Sequence, residues 1–554
     1  MKKIAGLMAA VMVCTMLLAG CGDKKGTTTS GSDAAPAQSA VAGSGKELAV
    51  TIGPNPETMD PALNSAVDGG NMILHAFECL LIIDKDGKAV PGQAESFEKS
   101  ADGLKYTFKL RKDLKWSDGS PLTANDFVYS WQRAVDPATA SPYADIFNVI
   151  SGFADIASGA KTPDTLGAKA IDDQTLEVTL SAPCAYFEQL VAFATYSPVQ
   201  KATIEANGET WATAAKTYVS NGPFNMTDWK TGEYIEFSKN QNYWNKDAIK
   251  LDKLKFMLIE DDNAALTAYE GGEVLMTKSI PAAEIDNLSS RADFHKADLM
   301  GTYYLSLNLN KAPFDNAKVR KALSMAIDRD RIANTVMHGT YAPATAYIGP
   351  GFLDADAKTP FMDTTTKDNG GKTYFDTKAD VEGAKKLLAE AGFPDGKGLA
   401  PIEYMTNDSA YHKNVAEALQ QMWGEIGVKM NIVIQEWANF TAARRAGDYF
   451  VARNGWVTDY NDPSSMLDLF CSENGNNDGK YNNPAYDKLM AEARTSADQT
   501  VRMQKMHEAE KLVLDEAGMI PLAYYSDTFL QSDKIVNTWH SPLGYWHFEY
   551  ADIK

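Results

Sequence analysis

Cysteine is scarce in this chain, with five among 554 residues. Cys14 and Cys21 fall at the very N-terminus, leaving Cys79, Cys184 and Cys471 for any folded part. Three isolated cysteines exclude a disulfide framework; one pair could bridge at most, and none is expected to, so stability must come from a core. Basic charge is also short: 53 Lys and Arg stand against 73 Asp and Glu, a net charge of −20. Such an imbalance argues against nucleic acid and anionic lipid surfaces as partners. The seven histidines (75, 295, 338, 412, 507, 540 and 547) are scattered without HExxH or paired-ligand spacing, so no metal site is expected. His507, followed by Glu508, reads as part of a solvated helix face. No GxSxG elbow and no GxGxxG fingerprint occurs, and Asn369–Thr373 (NGGKT) fails as a phosphate loop because Thr366 stands where its first glycine is required. Nothing recommends catalysis or a cofactor.

Long apolar runs are missing beyond the first residues. Two lysines precede the run Ile4–Leu18, which is too short to span a bilayer and reads as a signal-peptide core. Leu18-Ala19-Gly20-Cys21 resembles a bacterial lipobox, which makes Cys21 the expected lipid-bearing first residue of the mature chain. Removal of residues 1–20 takes away Lys2 and Lys3 and no acid, moving the charge from −20 to −22. Residues 21–45 are rich in Gly, Ser, Thr, Ala and Pro and read as a flexible linker. About 500 residues follow, too many for one core.

What is present alternates between strand and helix signals. In KYTFKLR, Tyr106, Phe108 and Leu110 share one face; in QTLEVTL, Leu176, Val178 and Leu180 do the same. TGEYIEFSKN reads as a further strand. Thr123 and Asp126 form a capping box before the helical stretch DFVYSWQRAV. Val319, Ala322, Leu323, Ala326 and Ile327 make one apolar helical stripe. Another helix begins after Asp380 and stops at Gly392 with Pro394 beyond, and VAEALQQMWGEIGV runs into the strand VKMNIVIQEW. This mixture predicts α/β architecture. Several aromatics sit beside polar turn residues instead of in stripes: Tyr143, Tyr303, Tyr304, Trp437, Trp456 and Tyr460. Spacing alone favours packing over a ligand cleft for these.

Six stretches in order, LKWSDGSPLTANDFVYSWQRAVDPATASPYA, IDDQTLEVTLSAP, NGPF, KAPFDNAKVRKALSMAIDRD, AKKLLAEAGF and ARNGWVTDYNDPSS, resemble the oligopeptide-binding proteins of ABC importers, the peptide/nickel branch of solute-binding family 5. The resemblance runs from about Glu47 to the C-terminus. It implies a two-lobed type II clamp of the periplasmic-binding-protein kind, with a subdomain inserted in the first lobe. Transferred here, lobe I comprises 46–78, 203–300 and 525–554, the insertion 79–202, and lobe II 301–524. Crossings between lobes fall near Gly301 and near Tyr524-Tyr525.

The resemblance also implies roles for particular residues. Asp459 receives the peptide α-ammonium, with Trp456 and Tyr460 excluding water around the pair. Gly455, Trp456 and Val457 on one side, and Ser65, Ala66 and Val67 on the other, match segments that pair with ligand backbone and so ignore side-chain identity. Arg453, Arg444 and Tyr411 fall where relatives receive the peptide carboxylate. Trp437, Tyr143 and Tyr303 fall on side-chain pocket walls. The chain departs from the pattern at Tyr411, where some relatives have histidine, and at Val457, where some have cysteine.

The implied protein is a monomeric, lipid-anchored, extracytoplasmic receptor for oligopeptides on a bacterial cell membrane, serving an ABC permease and its ATPase. A same-fold carrier of a nickel chelate or oligosaccharide is the first alternative, and Asp459 speaks against it. An extracellular hydrolase is the second, and it lacks a nucleophile or metal constellation. Changing Cys21 to Ala is expected to release a soluble protein of unchanged ligand affinity, since anchor and site are separated by the linker. Cell fractionation checks this, and a fully membrane-bound variant contradicts the lipid reading.

Overall fold

The structure, a computed structural model, describes residues 45–554. The expected signal peptide, the lipid-bearing Cys21 and nearly all of the expected linker lie outside the described residues. Three sheets of four or more strands organise the rest. In the first, Glu47–Thr51 lies parallel to Lys253–Met257, and Tyr234–Lys239 and Phe224–Lys230 follow antiparallel. Their alternation buries Leu254, Phe256, Ile235 and Phe237 on one face.

The second sheet is antiparallel, in the order Ala94–Lys99, Lys105–Leu110, Thr175–Thr179, Ala168–Asp172. Tyr106, Phe108, Leu176 and Val178 point from it into the core, as the period-two pattern requires. The helix Ala124–Val135 opens with the expected capping box, the Thr123 N–H donating to Asp126 Oδ2 at 2.7 Å. These two sheets share one core, which also takes in Phe529, Trp546 and Phe548 from the C-terminal segment.

The third sheet has six strands, in the order Ala342–Pro343, Met519–Leu530, Phe294–Leu307, Val451–Val457, Ile402–Asn407, Met430–Gln435. Helices Ala317–Met325 and Ala410–Glu425 bury their apolar stripes on it, with Val319, Leu323, Leu419 and Trp423 fully enclosed. Two of its strands are unusually long and run from one core to the other. Phe294–Leu307 pairs with Met519–Leu530 on both sides of a break in register between Asp298 and Thr302. Gly301 sits at that break, where a Cβ would come within 2.5 Å of the Trp456 carbonyl oxygen, so the approach admits only glycine.

Cys79, Cys184 and Cys471 are all buried free thiols. His507, expected on a solvated face, is instead turned inward. It stacks on Phe361 with ring centres 3.7 Å apart and bonds Asp354 Oδ2 at 3.0 Å and Thr365 Oγ1 at 3.1 Å. Those partners come from a segment some 150 residues away, which no local pattern announces.

The loop after the strand Val451–Val457 is fastened from below. Arg502 grips Asp462 through both carboxylate oxygens, at 2.7 and 2.5 Å, and both side chains are buried. Asp462 also accepts the Ser464 N–H and hydroxyl, so it caps the turn. Replacing Arg502 by Met leaves a buried carboxylate without its cation, a loss of about 3–5 kcal/mol. Denaturant unfolding checks this; a loss below about 1 kcal/mol, the scale of exposed pairs, contradicts it.

Candidate ligand-binding site

A cavity of about 370 Å³ lies between the six-stranded sheet and the start of the helix Val67–Ala76. One wall carries Ser65, Ala66 and Val67 at the start of the helix Val67–Ala76, together with Tyr143 and Tyr545. The opposite wall is built on the strand Val451–Val457 and the helix Trp437–Ala446. Bonds tie the walls together. Tyr143 donates to Asp459 Oδ1 at 2.8 Å, the Asn461 N–H to Gln189 Oε1 at 2.8 Å, and Asn476 to the Pro142 carbonyl at 2.9 Å. Arg445 crosses to Glu57 at 2.9 Å and to the Ser65 hydroxyl.

Asp459 is placed by this wall in an unusual state. Protein surrounds it, yet it keeps some surface toward the cavity. Its contacts are the Tyr143 hydroxyl, its own N–H donating to Ser465 Oγ at 2.8 Å, and the Ser465 hydroxyl at 3.4 Å. Among the described residues no Lys, Arg or His nitrogen lies within 4.0 Å of it. Burial therefore pushes its carboxyl up to about 7, despite the hydrogen bonds from Tyr143 and Ser465 that favour the charged form. An unfolded aspartate titrates near 3.9. The raised group thus contributes stability in acid that is lost as pH rises through about 7. The turn role that an aspartate here could serve belongs to Asp462, three residues on.

The strand Val451–Val457 offers backbone to the cavity. It pairs along one edge with Phe294–Leu307, but on the other edge Ile402–Asn407 reaches only Val451 and Ala452. Because the Thr458 N–H bonds Met300, alternation turns Arg453, Gly455 and Val457 toward the unpaired edge. The Gly455 N–H rests on the Asn454 side-chain oxygen at 2.9 Å. Glycine is needed at this position, since a Cβ would meet the Tyr525 hydroxyl at 1.9 Å. Trp437 and Trp456 line the cavity, and their buried indole N–H groups find no partner among the described residues.

Arg453, like Lys278, lines the cavity with no carboxylate oxygen within 4.0 Å among the described residues. Its Nε donates to Asn407 Oδ1 at 2.9 Å, and its guanidinium lies over the rings of Trp437 and Phe440. Arg444 also lines the cavity but is paired with Asp478 at 2.8 Å. Tyr411 lines it with its hydroxyl engaged by Thr340.

Two residues assigned to the site stand back from this cavity. Tyr303 is fully buried in the second core, its hydroxyl 3.2 Å from His412 Nδ1, because its strand is central in the six-stranded sheet. Tyr460 stacks on Tyr186 at 4.6 Å and borders a small recess behind Asp459 instead of the cavity. Conversely, Asp68, Lys278, Arg445 and Tyr545 line the cavity and were not expected there. Asp68 in the first turn of Val67–Ala76 carried a weak signal, directly after Ser65–Val67; burial pushes its carboxyl up while Lys278 opposes that shift.

The model described as "Bacterial extracellular solute-binding proteins, family 5 Middle" matches residues 88–478. This chain belongs to that family. It is 34% identical to the oligopeptide-binding protein OppA of Bacillus subtilis over the whole of both chains. The crystal structure of Haemophilus influenzae OppA in complex with RPPGFSPFR superposes with a TM-score of 0.83 at 31% identity, covering 92% of this chain and 99% of that one. A structure of the Escherichia coli murein tripeptide-binding protein MppA also gives 0.83, at 32% identity over 93% of this chain and 99% of that one. The unliganded open form of MppA gives only 0.60, at 31% identity over 92% and 98%. The present fold is thus a family 5 two-lobed clamp, arranged unlike the open form. Members of this family bind solutes and are not enzymes, and so does this chain.

Proposed function

We propose that this protein captures oligopeptides in its cleft and delivers them to the permease of an ABC importer, held at the membrane by a lipid on Cys21. The observation that carries the reading is Asp459: enclosed, facing the cavity, and with no cation within 4.0 Å among the described residues. A protonated peptide amine supplies both the charge and the donors, in a low-dielectric setting that strengthens the pair. The unpaired edge at Arg453, Gly455 and Val457 then takes the ligand backbone as an added strand, facing Ser65–Val67 across the cleft. Arg453 receives the far carboxylate, while Arg444 is committed to Asp478. Arg453 stands six positions before Asp459; at about 3.3 Å per residue this spans at most about 20 Å, the length of a peptide of about four to six residues.

The same reading assigns lobe I to residues 46–78, 203–300 and 525–554 with the insertion 79–202, and lobe II to 301–524. The paired strands with their register break at Asp298–Thr302 serve as the hinge. A nickel-chelate or oligosaccharide carrier has no use for a lone carboxylate set beside an open strand edge.

Asp459→Asn keeps the shape but encloses the ligand ammonium without compensation. Affinity is expected to fall roughly two to three orders of magnitude, from about 3–5 kcal/mol for a buried pair broken on one side. N-acetylation of the peptide is expected to cost wild-type comparably, and the two changes together far less than their sum. Calorimetric titration of the four combinations checks this, and full additivity sinks the assignment.

A further inference from the structure

Tyr460 follows Asp459 directly and stands behind the cleft, where its partner comes from the segment 79–202. Its ring lies flat on that of Tyr186, with centres 4.6 Å and planes 7° apart. Both rings are buried, and the Arg502 guanidinium lies 5.1 Å from the centre of the Tyr186 ring. In the short helix Phe187–Leu190, Gln189 accepts the Asn461 N–H at 2.8 Å. The two residues after Asp459 are thus gripped from across the seam. Tyr186, Gln189, Tyr460 and Asn461 do not line the cleft.

The seam continues past this loop. Asn476 donates to the Pro142 carbonyl at 2.9 Å, and the Gly475 N–H donates to Asp145 Oδ2 at 3.2 Å. A Cβ on Gly475 would lie 3.0 Å from the Pro142 oxygen, so the two backbones approach closely here. The recess left along the seam measures only about 30 Å³. A flat aromatic stack and three hydrogen bonds with so little void make a fitted contact. Made to no ligand atom, it contributes the same free energy whichever peptide is enclosed.

We propose that Tyr186, Gln189 and Asn476 are positioning residues that clasp the Asp459 loop from outside the cleft and raise affinity for all peptides alike. The inference rests on the proposed division, in which 79–202 and 301–524 belong to opposite lobes that close over the ligand. Opening parts these contacts, brings Tyr186 and Tyr460 to water and leaves Asp459 unenclosed. The clasp forms after the ligand has entered, so it slows release and leaves capture unchanged.

The test measures equilibrium affinity and binding kinetics of the full chain with two unrelated peptides, Ala-Ala-Ala-Ala and Lys-Glu-Phe-Ser. Tyr186→Leu keeps apolar bulk and removes the stack. It is expected to weaken both peptides by the same factor, roughly 3–10-fold. Asn476→Ala removes one hydrogen bond, is expected to act on the same roughly 3–10-fold scale, and serves if Tyr186→Leu does not fold. In both variants the loss is expected in faster release, with association rates within about twofold of wild type. A merely structural role would lower the unfolding midpoint and leave affinity as in wild type. Unchanged affinity, a loss confined to one peptide, or a loss carried by slower association overturns the clasp while leaving Asp459 in place. Failure of wild type to bind either peptide overturns the proposed function and this inference with it.

Discussion

A carboxylate enclosed by protein and denied a cation is the constraint around which this cleft is arranged. Asp459 borders the cleft, and among the described residues the Tyr143 and Ser465 hydroxyls are the donors that address it. Among the described residues Arg502 grips Asp462 and Arg444 meets Asp478, whereas buried Glu78 and Glu510 have no cation but each accepts three hydrogen bonds. Asp459 faces the cavity with two hydroxyl donors and no cation, and a buried charge so placed lowers stability unless something arrives to complete it. The loop that holds it is fastened by Arg502, so the acid cannot relax toward water without breaking that grip.

Both walls of the cavity contribute to the site. The donor to Asp459, Tyr143, comes from the opposite wall, and Arg445 likewise crosses to Glu57 and Ser65. The arrangement of the chain is closer to one MppA structure than to the open form of MppA. A ligand favours closure only by its differential affinity for that state, which is what bridging two walls supplies. The register of the two long strands shifts between Asp298 and Thr302 and again between Tyr303 and Tyr304, beside the close backbone approach at Gly301.

Much of the scaffold was legible in the sequence because its signals are local. The alternation at Tyr106, Phe108 and Leu110, the Thr123–Asp126 box and the stripe through Val319 and Leu323 each specify an element within a dozen residues. The site was legible in part through resemblance: Asp459, Trp456 and Arg453 share one stretch. What was missed is non-local. Arg445 acts through Ser65, 380 residues away, and Asp68 through Lys278. Tyr303 sits among polar turn residues in sequence, yet central strand position buries it; His507 turns inward because Phe361, Thr365 and Asp354 await it.

The central claim is that a charged ligand amine completes Asp459, and proton linkage tests it most directly. In the free protein this carboxyl holds its proton up to about pH 7, whereas pairing with an ammonium requires the ionised form. Peptide affinity measured from pH 5.5 to 7 is therefore predicted to rise about tenfold, with proton release on binding, and Asp459→Asn is predicted to abolish the slope. An affinity flat with pH in the wild-type protein, or a slope that survives Asp459→Asn, contradicts the account.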